Sequence, residues 1–425
     1  MLRRAFLMAA GAAAFSSFPK SRAQVSLGTL TWVETGRLWI RELPDGSALK
    51  LASAEGLHSP RFSPTGRWIA FEDGAEKRWL VRNDGKVAAA LDADAAPLLS
   101  RADLRLLQPQ GVFAPDGKRY VFSRDLGTDD GPPTVGQLCL ASLATPDRQP
   151  EVLLFDQNGG KAPYSWTRDG RSVIYWNGEE WSASLWSDGV GLYSVDVESG
   201  RSRELGITAL SHRDMLDLAP LSAGNKLVVS EGVGRETWAE KRVTVVDLDT
   251  GIPRRLTPDD VSSVCPAWSP DGRRIACSAA PDADVAYAKA MAGQSYRVTL
   301  PNGEVETRTY TPETRIGIGG GEEAHAYLQQ RKIWLLDPNA INPPQQLTQD
   351  PNYRDEEPIW SADGSHILFA RMDYEGHSSL WLMGANGAGA VEVCRLQIPG
   401  PSGEQDSWFG YYGYIDWHAS FDWRK

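Results

Sequence analysis

Eight side chains combine types that do chemistry with positions at the start of short apolar runs: His58, Gln110, Lys161, His212, Asp214, Asp355, Glu356 and His418. Three histidines and a glutamine are a set that can hold a divalent metal, because neutral imidazole nitrogens and an amide oxygen suit such an ion. Lysine and the carboxylates add proton-accepting and ion-pairing capacity. The spacings are far too long for a local ligand motif, so only a fold that gathers distant strand starts would bring these groups to one mouth. A histidine in a strand is otherwise a packed or hydrogen-bonded residue, and no metal ligand set follows from the sequence. A second group is aromatic: Trp181, Trp186, Trp408, Tyr411 and Tyr412. Flat rings near carboxylates suit a sugar chain or an extended peptide, and they equally suit sealing a seam in the fold. The run from Asp125 to Gly131 imitates a calcium loop but lacks the third-position oxygen, the turn glycine and the closing glutamate, so it reads as a solvated loop.

The elements that must position these residues show themselves as a repeat. Cys265-Pro-Ala-Trp-Ser-Pro-Asp-Gly-Arg-Arg-Ile-Ala-Cys-Ser278 is an apolar anchor, a tight turn and a short strand. Pro270 presets φ at the first turn position, Asp271 bonds nearby backbone, and Gly272 supplies the left-handed residue. The phrase returns from Pro60 to Phe71, Gly111 to Phe122, Pro163 to Ile174 and Pro358 to Phe369, with a worn copy from Leu218 to Val229. Turn glycines 66, 117, 170, 224 and 272 are roughly fifty residues apart, and the last interval, to Gly364, carries a large insertion. Apolar strands such as Leu38-Trp-Ile, Trp79-Leu-Val and Ile333-Trp-Leu-Leu follow each hairpin.

Four short strands per period is the pattern of a β-propeller blade. The expected fold is therefore all-β, β throughout from Gly28: a single propeller of seven blades, with six as the alternative. The stretch from Tyr414 to Phe421 offers the strand that the first blade lacks, so strands from both termini close the ring and leave no sheet edge. Tight turns fall on one side of that ring. Bulk falls on the other, in the loops after the second strands, the blade crossings and an insertion at 279–331 with a hairpin signal at Asn302-Gly303. Long loops on a rigid scaffold are where binding or catalysis is placed, so ligand contact is expected on this channel face.

Residues 1–23 read as an export signal: Arg3-Arg4 in a twin-arginine pattern, an apolar stretch from Met8 to Phe18, and small residues at Ser21 and Ala23. The mature propeller is then 24–425, in a bacterial periplasm or beyond. No later apolar run is long enough to span a membrane. A net charge of −11 argues against nucleic acid, whose phosphates need a basic surface. Cys265 and Cys277 lie symmetrically about Asp271, which admits either a cross-strand disulfide or two buried free thiols. Cys139 and Cys394 lie on distant repeats with no evident pairing.

The repeated Phe/Trp-Ser-Pro-Asp-Gly-Arg phrase, over 28–423, resembles the repeat of the TolB-type periplasmic propellers. TolB carries an α/β domain ahead of its propeller and binds a lipoprotein over the channel mouth. Here strands begin directly after the signal, so the resemblance implies only a protein-binding propeller. The same repeat resembles that of oligogalacturonate lyases, where channel histidines hold a divalent metal; His58, just before Pro60-Arg-Phe-Ser-Pro, sits where such a ligand lies. It also resembles the gating propeller of prolyl-oligopeptidase-type hydrolases, but the Gly-x-Ser-x-Gly elbow is not in this sequence. Two functions follow. The first is an exported scaffold that binds a periplasmic protein or peptide over its loop-rich face. The alternative is metal-assisted cleavage of an acidic glycan, for which Arg101, Arg105, Lys161 or Arg213 would supply a basic pocket.

Overall fold

The computed structural model describes residues 26–100, 102–107, 111–125, 136–145, 148–156, 160–178, 189–314, 322–398 and 410–425. Strands β1 (Gly28–Glu34), β2 (Arg37–Leu43) and β3 (Leu49–Ser53) begin the chain, followed by a sheet of β4 (His58–Phe62), β5 (Trp68–Glu72), β6 (Arg78–Arg82) and β7 (Ala88–Ala90). The next sheets are β8 (Val112–Phe113), β9 (Arg119–Asp125), β10 (Gly136–Ser142) and β11 (Glu151–Asp156), then β12 (Gly160–Trp166), β13 (Ser172–Gly178), β14 (Gly189–Asp196) and β15 (Ser202–Leu210). Strands β16 (Leu216–Leu218), β17 (Lys226–Glu231), β18 (Arg242–Asp247) and β19 (Pro253–Arg255) join the preceding sheet at the pairing of Ala209 with Glu231.

Strands β20 (Val261–Trp268) and β21 (Ile275–Pro281) lead into the insertion, which holds helix α1 (Ala283–Met291), the hairpin β22 (Ser295–Thr299) and β23 (Val305–Thr309), and helix α2 (Glu322–Leu328). The sheet then resumes with β24 (Lys332–Leu336) and β25 (Gln345–Gln346). A further sheet is β26 (Tyr353–Trp360), β27 (His366–Asp373), β28 (Ser378–Gly384) and β29 (Val391–Leu396). Finally β30 (Phe421–Arg424) pairs antiparallel with β1, Trp32 opposite Phe421. Repeated four-stranded antiparallel meanders are the architecture of a β-propeller. No described helix is long and apolar enough to cross a membrane.

The repeat phrase works as its turn chemistry demands. Ser269 Oγ donates to Asp271 Oδ1 at 2.6 Å, the Gly272 N–H reaches Ser269 O at 2.9 Å, and Gly272 takes φ +71°. Ser361, Asp363 and Gly364 repeat that arrangement. In two copies the tryptophan that precedes the turn binds the neighbouring sheet: Trp166 Nε1 donates to Val112 O at 2.8 Å, and Trp360 Nε1 to Ala267 O at 3.0 Å. Carboxylates add a second kind of link. Asp217 accepts from the Trp268 N–H and Asp422 from the Phe62 N–H, each at 2.7 Å. Between the sheets run closed apolar seams, such as Ala276, Ile333, Trp360, Ile367 and Phe369.

Two expectations need correction. The chain is not β throughout: the insertion forms α1 and α2, because its Ala-rich, Asp-capped stretch suits a helix (Asp282 accepts from the Val285 N–H at 3.1 Å). Ala283, Ala324 and Leu328 of the insertion are buried in the main core beside Trp238, so its roots are structural while its hairpin stays exposed. Nor is the stretch from Tyr414 to Phe421 the closing strand: Asp416 accepts from the Ala419 N–H at 3.2 Å and winds Trp417–Ala419 into a 3-10 turn, so the strand that pairs with β1 is Phe421–Arg424. Of the two readings of Cys265 and Cys277, the structure has buried free thiols and no disulfide; all four cysteines are free and buried. A bulge between Val264 and Ala267 is the reason, since it gives Cys265 φ +53° and sends the two thiols into different apolar clusters.

Asp217 provides a test of the sheet-to-sheet carboxylates. Burial holds its carboxyl up to about 6, against 3.8 ordinarily. The folded state therefore keeps a proton that the unfolded chain releases, so the stability from Asp217 is full below 3.8 and is lost as pH rises through 6. Asp217→Asn keeps an oxygen for Trp268 without the charge. It should gain ~1–2 kcal/mol near neutral pH and almost nothing well below pH 4; urea denaturation at the two pH values checks this, and equal effects would remove the burial account.

Candidate functional site

The first strands of three sheets are irregular. In β4, β20 and β26 the residue before a proline takes a left-handed backbone: Ser59 at φ +52°, Cys265 at +53° and Glu357 at +50°. Each lies in a register shift against the next strand. Pro60, Pro266 and Pro358 have no N–H to pair, which fits the unpaired place in a bulge, and proline keeps the preceding residue out of the right-handed helical region. A non-glycine residue at positive φ is strained, and strain of this kind clusters at working sites.

Two sites result. Cys265 and Glu357 are carried to Asp214, which sits in a 3-10 turn (Arg213–Met215) just ahead of β16. Tyr414 Oη donates to Asp214 Oδ1 at 3.2 Å, Cys265 Sγ lies 3.8 Å from Asp214 Oδ2, and His418 Nε2 lies 3.0 Å from Glu357 Oε1. Burial, and then the Glu357 charge, push the Asp214 carboxyl well above its ordinary range. Burial also pushes the Cys265 thiol up, with Asp214 adding to it. Burial opposes charge on His418, but the Glu357 carboxylate outweighs it and raises that imidazole.

The second site is a cavity of about 450 Å³ between β4–β5 and β8. Among the described residues Arg61, Arg78, Arg105 and Arg213 line it, with Glu72 as the one acidic group and Phe71 and Phe113 among the apolar ones. Arg61 Nη1 donates to His418 O at 2.7 Å, tying this cavity to the turn that carries His418. Arg213 Nη1 reaches Tyr164 O at 3.3 Å, and Arg78 is anchored on Leu106 O. The Arg105 guanidinium lies 4.9 Å from the centre of the Phe113 ring, and its Nε is buried with no hydrogen-bond partner among the described residues.

The sequence-derived residues divide accordingly. Asp214 and His418 join the acid cluster. His58 is tied instead to Gly56 O (2.9 Å) and Glu72 (3.4 Å), and His212 stacks on Tyr414 at 3.9 Å, where burial lowers its pKa to about 4. The three histidines therefore do not converge as a ligand set among the described residues. Lys161 is buried and donates to Asn177 Oδ1 at 3.0 Å. Asp355 receives Arg371 at 2.7 and 3.0 Å, and Glu356 is enclosed by Arg331, Arg354 and Trp417 Nε1, so both are structural. Tyr411 is exposed and packs edge-on to Tyr412, whose carbonyl is held by the Thr237 N–H. Gln110, Trp181, Trp186 and Trp408 lie outside the described residues. Sequence reasoning did not single out Glu357, Arg61 or Arg78 as site residues, and it weighed Cys265 only as a disulfide partner or a buried free thiol. The signal that marks Ser59, Cys265 and Glu357 is their shared place before proline in the repeat.

No protein-family profile matches the sequence, and no curated protein matches it. Solved structures do. TolB from Acinetobacter baumannii is similar at 15% identity with a TM-score of 0.38, covering 86% of this chain and 63% of its own. An oligogalacturonate lyase in complex with manganese is similar at 14% identity and TM-score 0.49, covering 90% of this chain and 89% of its own. A prolyl endopeptidase is similar at 10% identity and TM-score 0.49, covering 88% of this chain and 50% of its own.

The buried Glu356 makes a sharp prediction. Burial works against its charge, but Arg354 and Arg331 outweigh it and hold its carboxyl below the ordinary value. Glu356→Gln leaves two buried guanidiniums without their counter-charge and should cost about 3–5 kcal/mol in chemical denaturation. A loss below ~1 kcal/mol would mean that the arginines find other partners.

Proposed function

We propose that this chain is an exported TolB-like propeller of seven blades, its ring closed by β30 on β1, that acts as a binding scaffold for a periplasmic protein or peptide. In this reading residues 1–23 are a twin-arginine-type signal and 24–425 the propeller, with 279–331 as an insertion. The partner presents an acidic segment to the channel face. The observation that carries this is the cavity with four arginines and one glutamate. A guanidinium fork matches a carboxylate in two parallel hydrogen bonds, and Arg105 keeps a buried, unbonded Nε at this wall. The net charge of −11 repels an acidic partner at long range, so recognition is short-ranged and salt-sensitive.

The alternative, metal-assisted cleavage of an acidic glycan, draws on the same arginines, which suit uronate carboxylates as well as peptide ones. The separation of His58, His212 and His418 into different bonding partners favours the scaffold. The test is fluorescence anisotropy of a glutamate-rich peptide on the mature chain. Arg105→Ala and Arg213→Ala should each weaken binding about ten-fold, the loss of one charge-assisted contact. Unchanged affinity in both variants would remove the cavity as the docking site. Appearance of unsaturated oligogalacturonate with turnover would put the enzyme reading first.

Ring closure has its own test. Phe421 and Trp423 are buried against β1 and its neighbours. Phe421→Ala should cost about 3–5 kcal/mol, whereas a loose terminal strand would lose almost nothing in the same denaturation experiment.

A further inference from the structure

Asp214, Cys265 and Glu357 lie outside the arginine cavity, and none of the contacts proposed for the partner uses them. They come from three successive sheets: the turn before β16, the bulge of β20 and the bulge of β26. One ligand atom from each lies within 4.8 Å of the other two, and the residues are 8%, 6% and 5% exposed. Glu357 Oε2 is buried with no hydrogen-bond partner among the described residues. The charged groups that face the cluster are Glu357 and Asp416 toward Asp214, with His418 on Glu357. The nearby guanidiniums of Arg331 and Arg354 are engaged by Glu356. The arrangement thus gathers two carboxylates and a thiol around one point, with the His418 imidazole on Glu357 as the protein's own cationic contact there.

The geometry points to a binding site for one thiophilic divalent cation of the zinc class, held by Asp214, Cys265 and Glu357. Calcium and magnesium require six or more oxygens and disfavour sulfur, which excludes them here. Zinc takes carboxylate oxygen and thiolate sulfur together, and three protein ligands leave a fourth position for water. Binding forms a bond to Cys265 Sγ and releases its proton to solvent. Tyr414 and His418 already hold the two carboxylates from behind, as groups that orient metal ligands do. The bound ion would tie three sheets to the segment 410–418.

The experiment uses the mature full-length chain, stripped with chelator, dialysed against Zn2+ and freed of excess. Metal content is then read by mass spectrometry. About one ion per chain is expected for the wild type, with at least about ten-fold weaker retention in Cys265→Ser and Glu357→Gln. His377→Ala, in the exposed group of Asp373, Glu375 and His377, should retain the ion. Co2+ loading of the unaltered protein should show thiolate-to-metal charge-transfer absorption, which decides the matter if the variants fold poorly. No retention by the wild type overturns the site. So does retention indifferent to Cys265→Ser, retention lost in His377→Ala, or a cobalt spectrum without the thiolate band.

Discussion

The constraint on which the channel side depends is the bulge before proline in the innermost strands. A straight strand would send alternate side chains into the seams on either side, and none of them would meet across the channel. Inserting one extra residue at Ser59, Cys265 and Glu357 breaks that alternation at equivalent places in three sheets. The proline that follows tolerates the missing ladder bond. Strain at these positions is held in place by the sheet-to-sheet links around it, such as Trp360 Nε1 on Ala267 O and the Trp268 N–H on Asp217.

Charge is separated on the same face. The chain is acidic as a whole, yet four arginines line one cavity while the carboxylates of Asp214 and Glu357 gather with Cys265 in a separate cluster. Arg61, bonded to His418 O, joins the two regions through backbone rather than through an ion pair. Glu356 pairs with both Arg331 and Arg354, and Asp355 pairs with Arg371, so those buried charges are engaged within the protein. The distinction between committed and available charge is what separates a functional candidate from a buried network here.

The segment 410–418 and β30 bring distant ends of the chain to one place. Tyr414 bonds Asp214, 200 positions earlier, Trp417 bonds Glu356, 61 positions earlier, and Phe421 fills the core beside β1 near the start of the chain. Such contacts have high loop-closure cost and depend on the earlier sheets being in place. The roots of the insertion share this core through Ala283, Ala324 and Leu328.

The repeat was legible in the sequence because its turn chemistry is local. Pro270, Asp271 and Gly272 specify a turn by φ restriction and short-range hydrogen bonds, whatever surrounds them. Apolar alternation likewise marked the strands, whereas the strand that pairs with β1 is Phe421–Arg424, which shares only Phe421 with the stretch from Tyr414 to Phe421 that the sequence suggested. The helices of the insertion were not read, because short Ala-rich stretches owe their stability to packing on Trp238 and Leu328. The site was read only in part. The sequence placed Asp214 and His418 near a channel mouth, but grouped them with His58 and His212, since residue type says nothing of which partner a side chain meets. Tertiary structure alone decided that His58 goes to Glu72, that Cys265 turns from Cys277 toward Asp214, and that four scattered arginines share one wall. The physical reason is range: turns are set by neighbours a few residues away, whereas the channel is assembled from side chains whose separation in sequence carries no information about their separation in space.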